Sequence, residues 1–258
     1  MEVTLIPLTG IPSVRAGDDL ATLIVESLAR SPEAGAGLRL SDDDILVVTQ
    51  KIVSKAENRF VDLRTVQPSP LAKELAARTL KDPRVVEVVL WDSTEVVRAV
   101  PRVIIVRHRL GFVCANAGVD ASNVAEPSSE MVLRLPADPD VSAQQLRARL
   151  KVLAGAAPGV VISDSHGRPW REGTVGVAIG VAGLAPLQDL RGTPDLFGRK
   201  LQITTVGFAD QLASAASLVS GQAGEGLPVV LVRGLSYEGR DEVSAGEQVR
   251  PPESDLFR

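Results

Sequence analysis

Two carboxylates that directly follow apolar runs are the strongest candidates for chemistry in this sequence. Asp164 comes after the run Val160 to Ile162 and stands beside Ser165, within VVISDSHGRPWREG. Asp120 follows a second strand-like region, within NAGVDASN. Ligands of open α/β sheets collect where strands end, and neighbouring hard oxygen ligands suit Mg²⁺ or Mn²⁺. The two aspartates are therefore predicted to share a divalent cation, although an ordinary polar turn explains either segment taken alone.

The chain beyond Ile162 is predicted to leave the sheet as a loop, because a glycine and a proline in HGRPW interrupt regular structure. Arg168 and Arg171 in this loop suit a phosphate or a carboxylate. His166 is open to two interpretations, as a ligand contact or as a turn residue.

Two lysines and two glycine-containing loops are candidates for holding a phosphorylated ligand. Lys51 and Lys55 follow the apolar run 44–49 and share one face if their segment is helical, with a solvated pair as the alternative. Gly10 and the glycines of GQAGEGLP at 221–228 expose backbone groups that suit a base, a ribose or a phosphate. A plain turn and a flexible loop are the alternatives for these two segments.

Composition and missing motifs disfavour several other functional classes. The chain of 258 residues is 45% hydrophobic and 23% charged, as in soluble globular proteins, and its net charge of −4 argues against nucleic-acid binding. No apolar run approaches the roughly 20 residues that cross a bilayer, and no signal peptide is evident, so a cytoplasmic protein is expected. Two histidines give little support to a zinc site or a Ser-His-Asp triad, and Cys114 is expected to be a buried structural thiol. Neither HExxH nor a P-loop motif occurs.

Alternating strand and helix patterns predict an α/β protein with mixed sheets and packed helices. Predicted strands cover 2–6, 44–49, 95–114 in two or three pieces, 160–162, 174–184 and 229–233, and predicted helices cover about 18–30, 69–81, 142–155 and 204–220. The helix at 142 is placed by a capping-box pattern of Ser142 and Gln145. Segment 82–91 fits a helix or a strand, and 31–37 is a predicted loop. Glycines in 174–184 predict a glycine-punctuated strand or a close-packed segment. The alanine-rich helix at 204–220 is expected to pack closely, with a subunit interface as one place for it.

Several long motifs, in the right order along nearly the whole chain, resemble the coenzyme F420:L-glutamate ligase family. They are TGIP at 9–12, VSKAE at 53–57, NAGVDASN at 116–123, SDSHGRPWREG at 163–173, ADQLASAA at 209–216, GEGLPVVLVRG at 224–234 and the closing RPPESDLFR. The resemblance implies GTP-dependent addition of L-glutamate to the coenzyme F420 precursor through γ-linked amide bonds. It also implies Mg²⁺ or Mn²⁺, K⁺, a family-specific α/β fold and an intertwined homodimer. Some bacterial relatives carry a further flavin-binding domain, whereas residues 1–258 are expected to form a single ligase domain.

The resemblance also implies roles for individual residues. Asp120, Asp164 and Ser165 correspond to ligands of divalent metals, and Gln222 stands where relatives often have glutamate. Asp120 and Asp164 are on this basis expected to be catalytic. The residues implied in GTP binding are Thr9, Gly10, Ile11, Pro12, Gln50, Lys55, Asn123, Ser220, Gly221, Gln222, Ala223, Gly224, Glu225, Gly226 and Leu227.

The implied chemistry agrees with the residues present. Forming an amide from a free carboxylate needs an activated leaving group, which GTP supplies as an acyl phosphate that the glutamate amine attacks. Metals and basic side chains neutralise charge during phosphoryl transfer, and no protein nucleophile is required. Two alternatives stay open at this point. One is another metal-dependent nucleotide enzyme, such as a small-molecule kinase, and the other is a nucleotide sensor without catalysis.

Overall fold

The computed structural model describes residues 2–30, 38–124 and 129–255. Its strands are β1 (Thr4–Pro7), β2 (Ile45–Thr49), β3 (Phe60–Asp62), β4 (Ser93–Val100), β5 (Val103–His108), β6 (Val113–Ala115), β7 (Met131–Leu133), β8 (Gly159–Arg168), β9 (Arg171–Ala182), β10 (Leu187–Asp189), β11 (Thr205–Gly207) and β12 (Val229–Arg233). Its α-helices are α1 (Leu20–Arg30), α2 (Gln50–Ala56), α3 (Pro70–Thr79), α4 (Pro83–Trp91), α5 (Pro139–Ala154) and α6 (Phe208–Ser220). The predicted loop at 31–37 and the last three residues of the closing motif lie outside the described residues.

The largest sheet in the described ranges has the strand order β1-β12-β2-β8-β9. β2 and β8 run parallel, and the other neighbouring pairs in this sheet are antiparallel. Helices α1 and α5 cover one face of the sheet and α6 covers the other, so the central strands are apolar on both faces. Smaller sheets pair β3 with β7 and β10 with β11, and a three-stranded sheet has β5 between β4 and β6. The prediction of an α/β protein with mixed sheets is confirmed.

The predicted loop after Ile162 is wrong, because β8 continues to Arg168. Its polar half pairs with β9 in a long hairpin, and a β-bulge opposite Ile162 and Ser163 shifts the register there. The glycine and proline that suggested a loop lie at the far end of the hairpin. On its other side β8 pairs with β2 only as far as Ser163, opposite Thr49. Asp164 is therefore the first residue of β8 beyond the end of its parallel neighbour.

Strand β9 confirms the prediction of a close-packed, glycine-containing strand. A Cβ atom on Gly176 would lie 2.3 Å from the carbonyl oxygen of Ala213 in α6, and one on Gly180 would lie 2.4 Å from that of Pro139 in α5. The two helices thus rest directly on the strand backbone. Helix α6 buries its alanine face in this contact, with Ala209 and Ala216 only 0% and 2% exposed. The alanines pack within this chain, so they are not evidence for a subunit interface.

Helix boundaries follow local capping, with two corrections. The predicted helix at 204–220 starts only at Phe208, because 205–207 form β11 and pair with β10. Helix α5 begins at Pro139 with Asp138 as its N-cap, so the capping box predicted at Ser142 and Gln145 is wrong. Asp-Pro is the stronger start signal, because proline is preorganised for the first helical position. The hydroxyl of Ser142 instead donates to Glu57 and to the Asp138 carbonyl. Segment 82–91 is a helix capped by its aspartate. None of the helices described is long and apolar enough to cross a membrane.

Candidate functional site

A cavity of about 550 Å³ lies where β2 ends and β8 continues past it. Six separate stretches of the chain line it, and they bring most of the predicted site residues together. Those that line the cavity are Ile11, Pro12, Gln50, Lys55, Asp120, Asn123, Asp164, Ser165 and Ser220 through Leu227. Thr9 and Gly10 do not line it. Their carbonyl oxygens instead accept hydrogen bonds from Ser27 and Arg30 of α1, which hold the loop in place.

Asp120 is positioned by backbone and side-chain contacts together. Its backbone exchanges two hydrogen bonds with Leu133 in β7. Its Oδ2 accepts a hydrogen bond from Gln50 Nε2 at 2.9 Å and lies 3.3 Å from Lys51 Nζ. Burial raises the pKa of the Asp120 carboxyl, and Asp164 raises it further against the opposing effect of Lys51. The carboxylate is thus held in an environment that a bound cation would relieve.

Gln50 has a different position from the one the sequence suggested. Its side chain is 4% exposed, and its Oε1 accepts a hydrogen bond from Ser54 at 3.0 Å. Both ends of the amide are therefore engaged within the protein, with Nε2 directed at Asp120. In this structure Gln50 orients Asp120, and its place as a GTP contact stays a prediction.

Asp164 is paired with a residue of its own strand. Its Oδ2 lies 3.0 Å from Nε2 of His166, and Phe112 lies against the histidine ring. Residues two apart in a strand share a face, so the pairing was hidden by the predicted loop. His166 is accordingly a strand residue that contacts Asp164, rather than a turn residue. Cys114 is buried, and burial together with Asp164 raises the pKa of its thiol to about 12, which confirms a structural thiol.

The loop after α6 is tied to the cavity from two sides. Ser165 Oγ donates to Gln222 Oε1 at 2.6 Å, and Asn123 Nδ2 donates to the carbonyl of Ala223 at 2.8 Å. Gly221 and Gly226 have φ of 73° and 70°, a region that favours glycine. The glycines therefore allow the loop to turn back over the cavity.

Two lysines make one side of the cavity positive. Lys51, a candidate phosphate contact outside the implied GTP-binding residues, lines the cavity with Lys55. Their spacing of four residues on α2 is the sequence signal that places both lysines on one face of the helix. Burial, followed by repulsion from Lys51, lowers the pKa of Lys55. A phosphate group would supply the missing counter-charge. Arg168 and Arg171 lie near the hairpin end and do not line this cavity.

The oxygen atoms collected here fit a hard divalent cation. The donor set is two carboxylates, from Asp120 and Asp164, with the hydroxyl of Ser165 and the amide oxygen of Gln222. Such oxygen ligands suit Mg²⁺ or Mn²⁺ rather than a soft metal. The residues described contain no group of three or more His, Cys, Asp or Glu side chains arranged for a metal. The candidate set therefore depends on the neutral oxygens as well as on the two carboxylates.

Comparison with known proteins identifies the family of the chain. The sequence model of the F420-0:Gamma-glutamyl ligase family matches residues 10–234. The chain is 46% identical to the coenzyme F420:L-glutamate ligase of Methanothermobacter thermautotrophicus over 100% of both chains. It is 50% identical to that of Methanopyrus kandleri, over 95% of this chain and 93% of the relative, and 43% identical to that of Archaeoglobus fulgidus, over 100% and 97%. With this family match and these identities across whole chains, the protein belongs to the F420-0:gamma-glutamyl ligase family.

Proposed function

We propose that this protein uses GTP to activate a carboxylate of the coenzyme F420 precursor and joins it to the amine of L-glutamate in a γ-linked amide. Full-length similarity to coenzyme F420:L-glutamate ligases supports this ligation. The observation that carries the proposal for this chain is the cavity that joins Asp120 and Asp164 with two lysines and a glycine-rich loop. Those groups are what a nucleotide triphosphate with a divalent cation requires.

Each group has a distinct part in the proposed reaction. Asp120, Asp164, Ser165 and Gln222 would hold Mg²⁺ or Mn²⁺, which when bound neutralises charge on phosphate oxygens. Lys51 and Lys55 attract and orient the phosphates, and the loop 221–228 encloses the nucleotide. The dependence on K⁺ rests on the family resemblance.

Direct attack by the glutamate amine on an acyl phosphate agrees with the side chains present. The thiol of Cys114 is buried, and the hydroxyl of Ser165 is already hydrogen-bonded to Gln222. Neither has the base and exposure that an activated nucleophile needs. The ligase proposal therefore requires no covalent link to the protein.

A homodimer is part of the proposal, with an exposed apolar arm in support. The segment between β10 and β11 carries Leu196, Phe197 and Ile203, which are 98%, 94% and 88% exposed. Large apolar side chains grouped on one surface mark an interaction site. The arm, rather than the alanine face of α6, is the part of the described chain that fits a partner subunit.

Product analysis tests the proposed reaction. Purified protein is incubated with GTP, Mn²⁺, K⁺, the coenzyme F420 precursor and L-glutamate, and the products are followed by mass spectrometry. We expect GDP and phosphate to form together with precursor that is heavier by one or more glutamyl residues, and only when both substrates are present. A phosphorylated precursor that accumulates without glutamate would indicate a kinase, and GTP binding without turnover would indicate a sensor.

A further inference from the structure

A second cavity, of about 470 Å³, adjoins the first one along strand β9. It is bounded by the turn between β5 and β6, the beginnings of α5 and α6, and the segment 244–255. His166 lines this second cavity, and the Asp164 carboxylate that it contacts lines the first. The two cavities therefore meet at a pair of side chains whose polar atoms are 3.0 Å apart.

Two aspartates of the second cavity bind the outer edge of β9. Asp140 Oδ1 accepts hydrogen bonds from the N–H groups of Val181 and Ala245, and its Oδ2 accepts one from Ser244. Asp140 is thus fully occupied in holding the edge strand. Asp210 Oδ1 accepts the N–H of Ala178 at 2.8 Å. Its second oxygen takes no part in that contact.

The second oxygen of Asp210 lies beside an unused acceptor. A Cβ atom built on Gly207 would be 4.0 Å from Asp210 Oδ2 and 3.6 Å from Gln248 Oε1, so both oxygens lie near the same glycine. The side chain of Gln248 also hydrogen-bonds the Asp210 carboxylate. Gln248 Oε1 is buried and has no hydrogen-bond partner among the described residues. Burial raises the pKa of the Asp210 carboxyl, so this group would gain from a cationic neighbour. An ammonium group, which only donates hydrogen bonds, fits two such acceptors.

Other parts of the same cavity suit carboxylates and a short aliphatic chain. Arg107 and Arg250 contribute positive charge to the lining, and Phe112, Val177 and Ile179 contribute apolar surface. Arg107 is anchored by its Nη1 hydrogen bond to the carbonyl of Gly111 and by its Nε contact with Glu95 Oε2 at 3.4 Å, neither of which uses Nη2. A guanidinium group presents a planar fork of donors that matches the two oxygens of a carboxylate. The lining thus offers acceptors for an ammonium and donors for carboxylates within one enclosure.

We propose that this second cavity binds the incoming amino acid, with its α-ammonium group at Asp210 and Gln248 and its carboxylates at Arg107 and Arg250. The inference rests on the proposed ligase function and adds to it the site of the amine substrate. In this arrangement the amine waits beside His166, next to the cavity in which GTP activates the other substrate. Hence Asp210 is a substrate-binding residue, separate from the candidate metal ligands.

Asp210→Asn is the informative variant, because the asparagine oxygen can still accept the Ala178 N–H while the charge is lost. We expect the KM for L-glutamate to rise about 10- to 100-fold, as for loss of a charge-assisted hydrogen bond, and the KM for GTP to stay within about twofold. Glutarate, which lacks the amine, should inhibit the variant and the wild type equally. Asp241→Asn, an exposed change that lies outside the lining of both cavities, is the matched control and should leave all of these values unchanged.

Hydroxylamine separates this inference from the proposed function. It is a small neutral amine that can trap the activated precursor as a hydroxamate without an ammonium site, so Asp210→Asn should form hydroxamate at the wild-type rate. If wild type forms neither glutamylated product nor hydroxamate, the ligase function itself is wrong. If wild type is active and Asp210→Asn has an unchanged KM for L-glutamate, the amino-acid site is overturned. If Asp210→Asn weakened the binding of glutarate and L-glutamate equally, the ammonium contact would also be overturned, because the cavity as a whole would be distorted.

A second variant covers the case in which Asp210→Asn does not fold. Arg250 is exposed, so Arg250→Gln should fold normally. We expect this variant to weaken the binding of both L-glutamate and glutarate by about tenfold, because both carry carboxylates. The KM for GTP should be unchanged. Unchanged values for both would contradict the placement of the carboxylates in this cavity.

Discussion

Replacing Asp164 by asparagine tests the candidate cation site most directly. The Asp164 side chain is 15% exposed and contacts His166 at 3.0 Å. Asparagine has nearly the same shape, and its carbonyl oxygen can still accept a hydrogen bond from the histidine. The packing of β8 should therefore be preserved. What is lost is a negative charge, which hard divalent cations strongly prefer in their ligands.

The expected size of the effect follows from linkage and from electrostatic catalysis. At a Mn²⁺ concentration about 100 times its Kd, binding stabilises a protein by about 2.7 kcal/mol. If the substitution weakens Kd about 100-fold, only about 0.4 kcal/mol remains at the same concentration. For a protein of roughly this size, the difference corresponds to about 5–9 °C in Tm. Turnover should fall by about 100- to 1,000-fold, as when one dominant electrostatic contribution is removed.

Without metal the variant should be as stable as the wild type or slightly more stable. Asp164 raises the pKa of the Asp120 carboxyl, so removing its charge relieves a repulsion between the two side chains. The assay measures Tm and turnover for wild type and for Asp164→Asn, each with and without Mn²⁺. Asp241→Asn, outside the cavity lining, provides a charge-matched control. Near-normal turnover in Asp164→Asn, or a Mn²⁺-dependent rise in Tm equal to that of wild type, would refute Asp164 as a ligand.

Three further predictions concern stability and assembly. Burial lowers the pKa of the fully buried His108 to about 4, so the unfolded chain binds more protons than the folded one between about pH 4 and 6.5. The free energy of unfolding should therefore fall by roughly 3 kcal/mol as the pH drops through that window. Urea titrations should show this pH dependence in wild type and lose it in His108→Phe. Gly180→Ala should lower the free energy of unfolding in urea by about 1–3 kcal/mol, because its Cβ would meet the Pro139 carbonyl at 2.4 Å. Gly167→Ala, with nothing within 4 Å of its Cβ, should lower it much less. Equal losses of stability in the two variants would contradict the close contact. Phe197→Ser should weaken the proposed dimer in light scattering at micromolar concentration, and a monomeric wild type would contradict the dimer altogether.

Local patterns were sufficient for most elements of the fold. Ser69 before a proline marked the start of α3, and its hydroxyl accepts the N–H of Ala72 at 3.2 Å. The prolines and glycines around 101 and 111 separated β4, β5 and β6. Such signals act over a few residues, through fixed proline φ angles, caps and the period of apolar side chains, so they are readable without tertiary structure. They failed at 163–168, where pairing with β9 outweighed the turn-forming composition.

The sequence by itself determined the family, the identity of the candidate ligands and the expectation that Asp120 and Asp164 meet. Motif order along the chain was enough for the family. The full set of candidate ligands came from that resemblance, and hard oxygen chemistry added the expectation that the two aspartates meet. Only the tertiary structure decided which other side chains contact these residues and hold them in place. Gln50 reaches Asp120 across 70 positions, and Asn123 reaches Ala223 across 100. The second cavity likewise joins β9 to segments from four other parts of the chain. Spacing in sequence carries no information about such contacts, because they depend on which strands pair and on the faces that the helices cover.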